Sequence, residues 1–442
     1  MTALTTEGPE LEAPEPQPAE TIETPPGWSF PARFGLRFAL AFLIPLDLVG
    51  SLAQLPYVGD YAYYLWAPIL DRFVPFLTTT LFHIAPGGGP TGSGDGAYSY
   101  AQTAVYAIVA VIIATVWSLL DRRRITYPRT LEVLRVCVRI VLAEAMISYG
   151  ASKIVPSQFP VPALDKLVQP LGDLSPMGLL WVFMGFSPGY TIFTGAAELL
   201  SGILLTIRRT TLLGALMSIA VLVNVVALNF FYDVPVKLYS AQLLLLAIFL
   251  TIPHLHRLVN FFVLNRPVPA DPSQPVIRNR WAQAVLVFVR TLLVGWFVVI
   301  SIRQSQSYLQ EARGTHSPLR GIWNVASVTV DGVERPPLVT DLTRWRRLVF
   351  DYPGYMSLYE MNDQRQRFTV KADDKKHTLL LTSRDDPKRT ALLTYDRKDA
   401  NTLLVAGKLD GHDFRAVCHR GDERFYLTER GFHWVNEKPV NR

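Results

Sequence analysis

The chain has 442 residues, 50% of them hydrophobic and only 18% charged, with a net charge of +6 and a mean hydropathy of +0.21. Water-soluble domains carry roughly 25% charged residues, so an ordinary soluble fold is excluded for much of the chain. The modest, scattered positive charge does not point to nucleic acid as a partner. The dilution is uneven: residues 303–442 hold 24 Lys and Arg and 19 Asp and Glu, which leaves 19 and 18 for the first 302. Two regions built for different solvents therefore follow one another.

Residues 1–30 contain six glutamates, many prolines and no Lys or Arg. A secretory signal needs a basic start and an apolar core, so this stretch reads as a disordered acidic tail. A membrane-spanning helix needs about 20 mostly apolar residues. Seven segments qualify: 33–54, 98–120, 130–150, 189–207, 210–230, 236–252 and 282–302. The stretch 65–85 carries Asp71, Arg72 and Pro75 near its middle and is expected to lie at the interface as an extra amphipathic helix. Residues 31–302 thus form a helical domain whose partner is the lipid bilayer.

Orientation follows from the basic loops. Arg33 and Arg37, Arg122 to Arg129, Arg208 with Arg209, and Arg257 to Arg280 fall on one face if there are seven spans. That face is expected to be cytoplasmic, together with the N-terminus. The Gly-rich loop within 86–97, the Pro-rich loop 151–188 and the turn at Asp233 then lie outside, as does the whole C-terminal region. Residues 303–318 read as a linker.

From residue 319 the pattern becomes short alternating strands broken by Asp331-Gly332 and Asp410-Gly411. About eight strands fit before residue 442, which predicts an antiparallel sandwich or closed barrel. Cys137 and Cys418 fall in different regions and make neither a disulfide framework nor a metal site. The histidines have no ligand spacing, so no metal is expected.

Ionisable groups inside a bilayer carry a penalty of about 2.5–3.5 kcal/mol even on the permissive insertion scale, so they mark candidate sites. Glu198 sits mid-helix between small residues, and Glu144 lies in the outer half of the preceding span. Asn224, Asn229 and Gln242 occupy the next two helices, with Tyr149, Lys153, Asp233 and Lys237 at the outer rim. Together they describe a polar pocket open to the extracytoplasmic side, where two neighbouring carboxylates would share a proton. The competing reading is interhelical hydrogen bonding. Asp47 and Arg290 fit that reading better, as a structural ion pair between the first and last spans.

The motifs Ser148-Tyr149-Gly150-Ala151-Ser152-Lys153, Gly195-Ala196-Ala197-Glu198 and Asn229-Phe230-Phe231-Tyr232-Asp233-Val234-Pro235-Val236-Lys237 place 139–265 in view of a known group. This stretch resembles the DoxX-like family of bacterial membrane proteins. The resemblance implies a four-helix core in the bacterial inner membrane and an association with quinone-linked chemistry. The β region is similar to lipocalin-type barrels, since Gly321 and Trp323 match the Gly-x-Trp signature and Arg430 is expected to cover that tryptophan. No cofactor site is evident in the residues themselves.

Three functional readings follow. One is a protein binding a hydrophobic quinone- or lipid-like molecule beneath the β domain. The second is a non-catalytic accessory subunit of a respiratory or envelope complex. The third is an acid–base enzyme using Glu198 or Glu144, with Lys153 or Lys237 as electrostatic partner.

Overall fold

The computed structural model describes residues 27–45, 58–83, 93–268, 279–313 and 318–441. The acidic tail up to residue 26 and Asp47 lie outside the described residues. Long apolar runs fold as helices because a bilayer leaves backbone groups no partner except one another. Five helices among the described residues are long and apolar enough to cross a membrane: Ala97–Leu120, Pro188–Thr206, Arg208–Phe231, Lys237–Phe262 and Arg280–Gln310.

In chain order the helices are α1 (Phe30–Leu43), α2 (Val58–Phe82), α3 (Ala97–Leu120), α4 (Pro128–Ile154), α5 (Leu164–Val168), α6 (Pro176–Phe186), α7 (Pro188–Thr206), α8 (Thr211–Phe231), α9 (Lys237–Thr251), α10 (Leu255–Phe262) and α11 (Arg280–Arg313). Helix α4 is 27 residues long and carries six charged residues, so apolarity alone would pass it over. Its centre is nevertheless the core of the bundle, with Val138, Val141, Leu142, Ala145 and Met146 buried. Arg139 makes this possible by donating to the free carbonyls of Leu205 and Thr206 at the end of α7 (3.0 and 3.1 Å), where the helix dipole favours a cation.

Arg37 serves α3 in the same way. It is buried, and its guanidinium donates to Ser118 Oγ (2.6 Å), the Asp121 carbonyl (3.2 Å) and the Tyr127 hydroxyl. The N-terminal end of α1 is thereby fixed beside the C-terminal end of α3 and the Arg122–Arg124 turn.

Several expected boundaries move. Helix α2 lies along α3, with Trp66 edge-on to Tyr106 (5.4 Å) and Val74 packed with Ala101 and Val105. It runs over Val58–Phe82 rather than 65–85, and part of its apolar side meets a helical partner. The segment expected at 236–252 continues through a 3-10 turn to Phe262. The stretch read as a linker from residue 303 is helical to Arg313. The loop 151–188 is partly folded as α5 and α6.

The C-terminal region is a closed antiparallel barrel. Eight strands follow one another round it: β1 (Gly321–Val330), β3 (Trp345–Phe350), β4 (Tyr355–Glu360), β5 (Arg365–Asp373), β6 (Thr378–Ser383), β7 (Thr390–Arg397), β8 (Thr402–Leu409) and β9 (His412–Arg420). Pairing of β9 with β1 closes the barrel, and the short β2 (Val333–Arg335) hairpins onto the end of β1. Asp331-Gly332 and Asp410-Gly411 all have positive φ (49°, 79°, 50° and 90°), the geometry of the tight hairpin turn that Asp-Gly favours.

Strand β7 alternates between exposed and buried residues from Thr390 to Asp396, and its buried half joins Trp323, Leu348, Phe368, Leu403 and Cys418 in a filled interior. The barrel is packed with side chains rather than hollow. Strands β3 and β4 break the alternation, with both faces largely buried. Their outer face meets the helical region: Ile322, Val349 and Tyr359 pack on Leu164 of α5.

Candidate functional site

The expected polar pocket resolves into pairs. Lys153 donates to both carboxylate oxygens of Glu198 (2.7 and 2.6 Å), and the two residues are 6% and 4% exposed. Glycines bring them together. A Cβ on Gly150 would lie 2.6 Å from Leu199 N, and one on Gly195 would lie 2.8 Å from the Gly150 carbonyl. Helices α4 and α7 therefore touch backbone to backbone, the close approach that small residues permit in membranes. Tyr149 and Phe159 lie beside the ammonium, their ring centres 5.7 and 6.0 Å from Nζ.

Glu198 thus takes Lys153 as its hydrogen-bonded partner; Glu144 is half-buried on α4. Asn229 donates to Ser240 Oγ (3.0 Å), which joins α8 to α9. Lys237 reaches Asp233 (2.8 Å) and lies 3.7 Å from Asp95. Gln242 is half-buried, and Asn224 faces outward from the bundle. Arg290 is half-buried on α11.

The Gly-rich loop is a clasp. Asp95 accepts from the backbone N–H groups of Lys237 and Leu238 (2.9 and 3.0 Å), satisfying free donors at the start of α9. Gly94 N donates to the Pro235 carbonyl (2.9 Å).

Above these pairs a cleft of ≈ 620 Å³ lies between the α5–α6 segment and the outer wall of the barrel. Met177, Trp181 and Val182 line one side, Val349, Tyr352 and Tyr355 the other, and Lys166, Arg365, Arg367 and Arg384 add positive charge. None of the nine residues expected to line a pocket reaches it. The two sites are nevertheless one aromatic layer apart, because Trp181 packs edge-on against Phe159 (5.0 Å).

Asp165 holds the cleft together. Its carboxylate accepts from Arg365 Nη1 (2.8 Å), while the Tyr359 hydroxyl lies 2.8 Å from Oδ1 and 2.9 Å from its carbonyl. Burial, and then the Asp165 charge, pushes the Tyr359 phenol well above its ordinary range. Asp351 stands on the barrel side of the cleft, 3.9 Å from Arg320. Burial pushes its carboxyl up, and Arg320 opposes the shift. Burial pushes the Lys166 ammonium down, with Arg365 and Arg367 acting in the same direction and Asp165 against it.

The barrel signature holds a different arrangement from the one expected. Trp323 is fully buried and donates from Nε1 to the Leu319 carbonyl (2.8 Å). Arg430 bonds the Tyr426 hydroxyl and Asn436 (3.0 and 2.6 Å) within its own C-terminal segment. Phe432 and Trp434 are 83% and 88% exposed, so the closing segment does not plug the barrel.

Sequence comparison finds a relative in Bacillus subtilis (strain 168), the uncharacterized protein YwoB, 30% identical over 142 residues. The match covers 87% of that protein and 32% of this chain. The chain belongs to the YwoB family. Since most of YwoB is matched within a third of the present chain, much of this molecule has no counterpart in it. No model of a known protein family matches the chain, and no solved structure matches it.

Proposed function

We propose that this is a DoxX-like protein of the bacterial inner membrane that binds a hydrophobic quinone- or lipid-like molecule between its helices and its barrel. The carrying observation is the cleft of ≈ 620 Å³ at the joint of the two regions, inside the roughly 300–1,000 Å³ range of small-molecule sites. Apolar side chains from both regions wall it, and the barrel interior is already full. The ligand therefore belongs outside the barrel, with the barrel as its cap. On this reading Trp181 forms part of the floor, with Phe159 and the Lys153–Glu198 pair behind it.

The positive-inside rule supports a cytoplasmic N-terminus and an extracytoplasmic barrel. Arg122–Arg124 and Arg208–Arg209 stand at one end of the bundle, whereas α5 and the barrel meet at the other.

The test is mass spectrometry of protein purified in several detergents. A stoichiometric hydrophobic molecule, displaced by an added quinone or lipid, is the expected result. Empty protein in every detergent, with no uptake of added ligand, overturns the reading.

One observation favours a second role, that of accessory subunit in a membrane complex. Phe432, Trp434 and Val435 present an exposed apolar surface at the end of the chain, the type of patch that marks an interaction site. Crosslinking followed by pulldown should recover a defined partner, while a lone monomer in mild detergent counts against this role.

A further inference from the structure

The cleft holds four cations, Lys166, Arg365, Arg367 and Arg384, against two carboxylates, Asp165 and Asp351. Asp165 is engaged by Arg365 and Tyr359. Asp351 lies 3.9 Å from Arg320, its buried Oδ2 has no hydrogen-bond partner, and among the described residues it forms no ion pair with Lys166, Arg367 or Arg384. Lys166 donates only to Gln169 (3.2 Å). The Arg384 guanidinium lies over the Tyr355 ring at 5.5 Å. Among the described residues neither cation has a carboxylate within 4 Å. Arg367 stands 3.8 Å from Asp385, both well exposed. Three cations of one cleft thus lack a close counter-charge inside it.

A neutral quinone head would leave that surplus uncompensated. An anion would remove it, and arginine's fork of donors suits phosphate oxygens. The apolar wall runs along one helix: Met177, Trp181 and Val182 belong to α6, whose other face exposes Leu179, Phe183 and Phe186. Apolar contact therefore continues from the cleft to the outer surface of the bundle, the route an acyl chain would follow.

Resting on the ligand-binding reading above, we propose that the cleft takes a phosphate-bearing lipid from the adjoining leaflet. Its headgroup sits on Lys166, Arg367 and Arg384, and one acyl chain lies along Met177, Trp181 and Val182. Arg365 is the positioning residue, since its bond to Asp165 holds the two walls together. Electroneutrality selects the head and the α6 wall selects the tail.

The test uses the full chain in detergent, with phosphatidylglycerol, phosphatidylcholine and a short-tailed ubiquinone offered separately and counted by native mass spectrometry. Wild type should retain the anionic lipid on the order of tenfold more tightly than the zwitterionic one, as two or three surface cations imply. The double variant Arg367→Gln/Arg384→Gln alters two exposed side chains and should lose that preference without a change in melting temperature. Phosphatidylglycerol brominated in its acyl chain should quench a tryptophan signal that the Trp181→Phe protein lacks. Competition by inorganic phosphate alone, with no Trp181 quenching by the brominated lipid, would assign the cations to a free anion and overturn the lipid proposal. Equal retention of both lipids, or tighter binding of the quinone, refutes the headgroup assignment and leaves the ligand-binding reading standing. Absence of every ligand refutes both.

Discussion

The bundle and the barrel differ in what sits at their closest contacts. At the contacts of α4, α7, α8 and α9 the buried residues include Gly150, Gly195, Gly202, Ser201, Ser218 and Ser240, while Ile112, Phe193 and Phe230 face outward. In the barrel Trp323, Leu393, Leu403 and Phe414 are inside, and most charges are outside, with Arg344 and Glu360 buried. The difference is one of solvent. Water drives large apolar side chains inward at about 25 cal/mol per Å², whereas lipid offers no such gain and leaves close packing and polar contacts to hold helices together.

The largest expected effect comes from breaking the Lys153–Glu198 pair, the one buried ion pair of the bundle among the described residues. Lys153→Met leaves the Glu198 carboxylate buried and unpaired, and removing one partner of such a pair destabilises by about 3–5 kcal/mol. The double variant Lys153→Met/Glu198→Met should recover most of that loss. Thermal unfolding in detergent measures both. Equal melting temperatures for wild type and the single variant would show that the pair is not what fixes α4 against α7.

A smaller effect sharpens the packing half of the comparison. Gly195→Ala places a methyl group 2.7 Å from Lys153 Cβ and 2.8 Å from the Gly150 carbonyl. Overpacking of this kind destabilises by about 1–3 kcal/mol. Gly295 on α11 has nothing within 4 Å of an added Cβ, so Gly295→Ala should be neutral or gain up to about 1 kcal/mol from helix propensity. If both variants melt alike, backbone contact is not the organising feature.

Legibility in the sequence followed the range of the interactions. Local patterns announced the apolar helices, the Asp-Gly hairpins and the Gly-x-Trp start of β1, because each is written within about twenty residues. Lys153 and Glu198 were both visible as ionisable groups in apolar surroundings, but their pairing depends on antiparallel register. Lys153 is one of the two lysines expected as electrostatic partner of Glu198 or Glu144, and register decides for it over Lys237. The cleft was illegible. Asp165 and Arg365 are separated by 200 residues, and Arg367 and Arg384 look like ordinary charges on exposed strand faces.

The joint between the two regions should respond to pH, because it is held by titratable groups rather than by volume. Burial holds the Asp351 carboxyl above its ordinary value. The docked state therefore binds more protons than the undocked one, and docking is strongest below the undocked value. It weakens as pH rises through the raised value, when the carboxylate must ionise in place. Hydrogen exchange in residues 160–175, followed from about pH 4 to about pH 8, should show protection falling over that rise. Asp351→Asn is nearly isosteric but cannot ionise, so its profile should flatten in this window. The bundle helices α4 and α7 serve as the internal reference, with protection expected to stay constant. A wild-type profile that coincides with that of Asp351→Asn would mean that Asp351 does not govern the joint, leaving the Asp165 contacts with Tyr359 and Arg365 as its determinants.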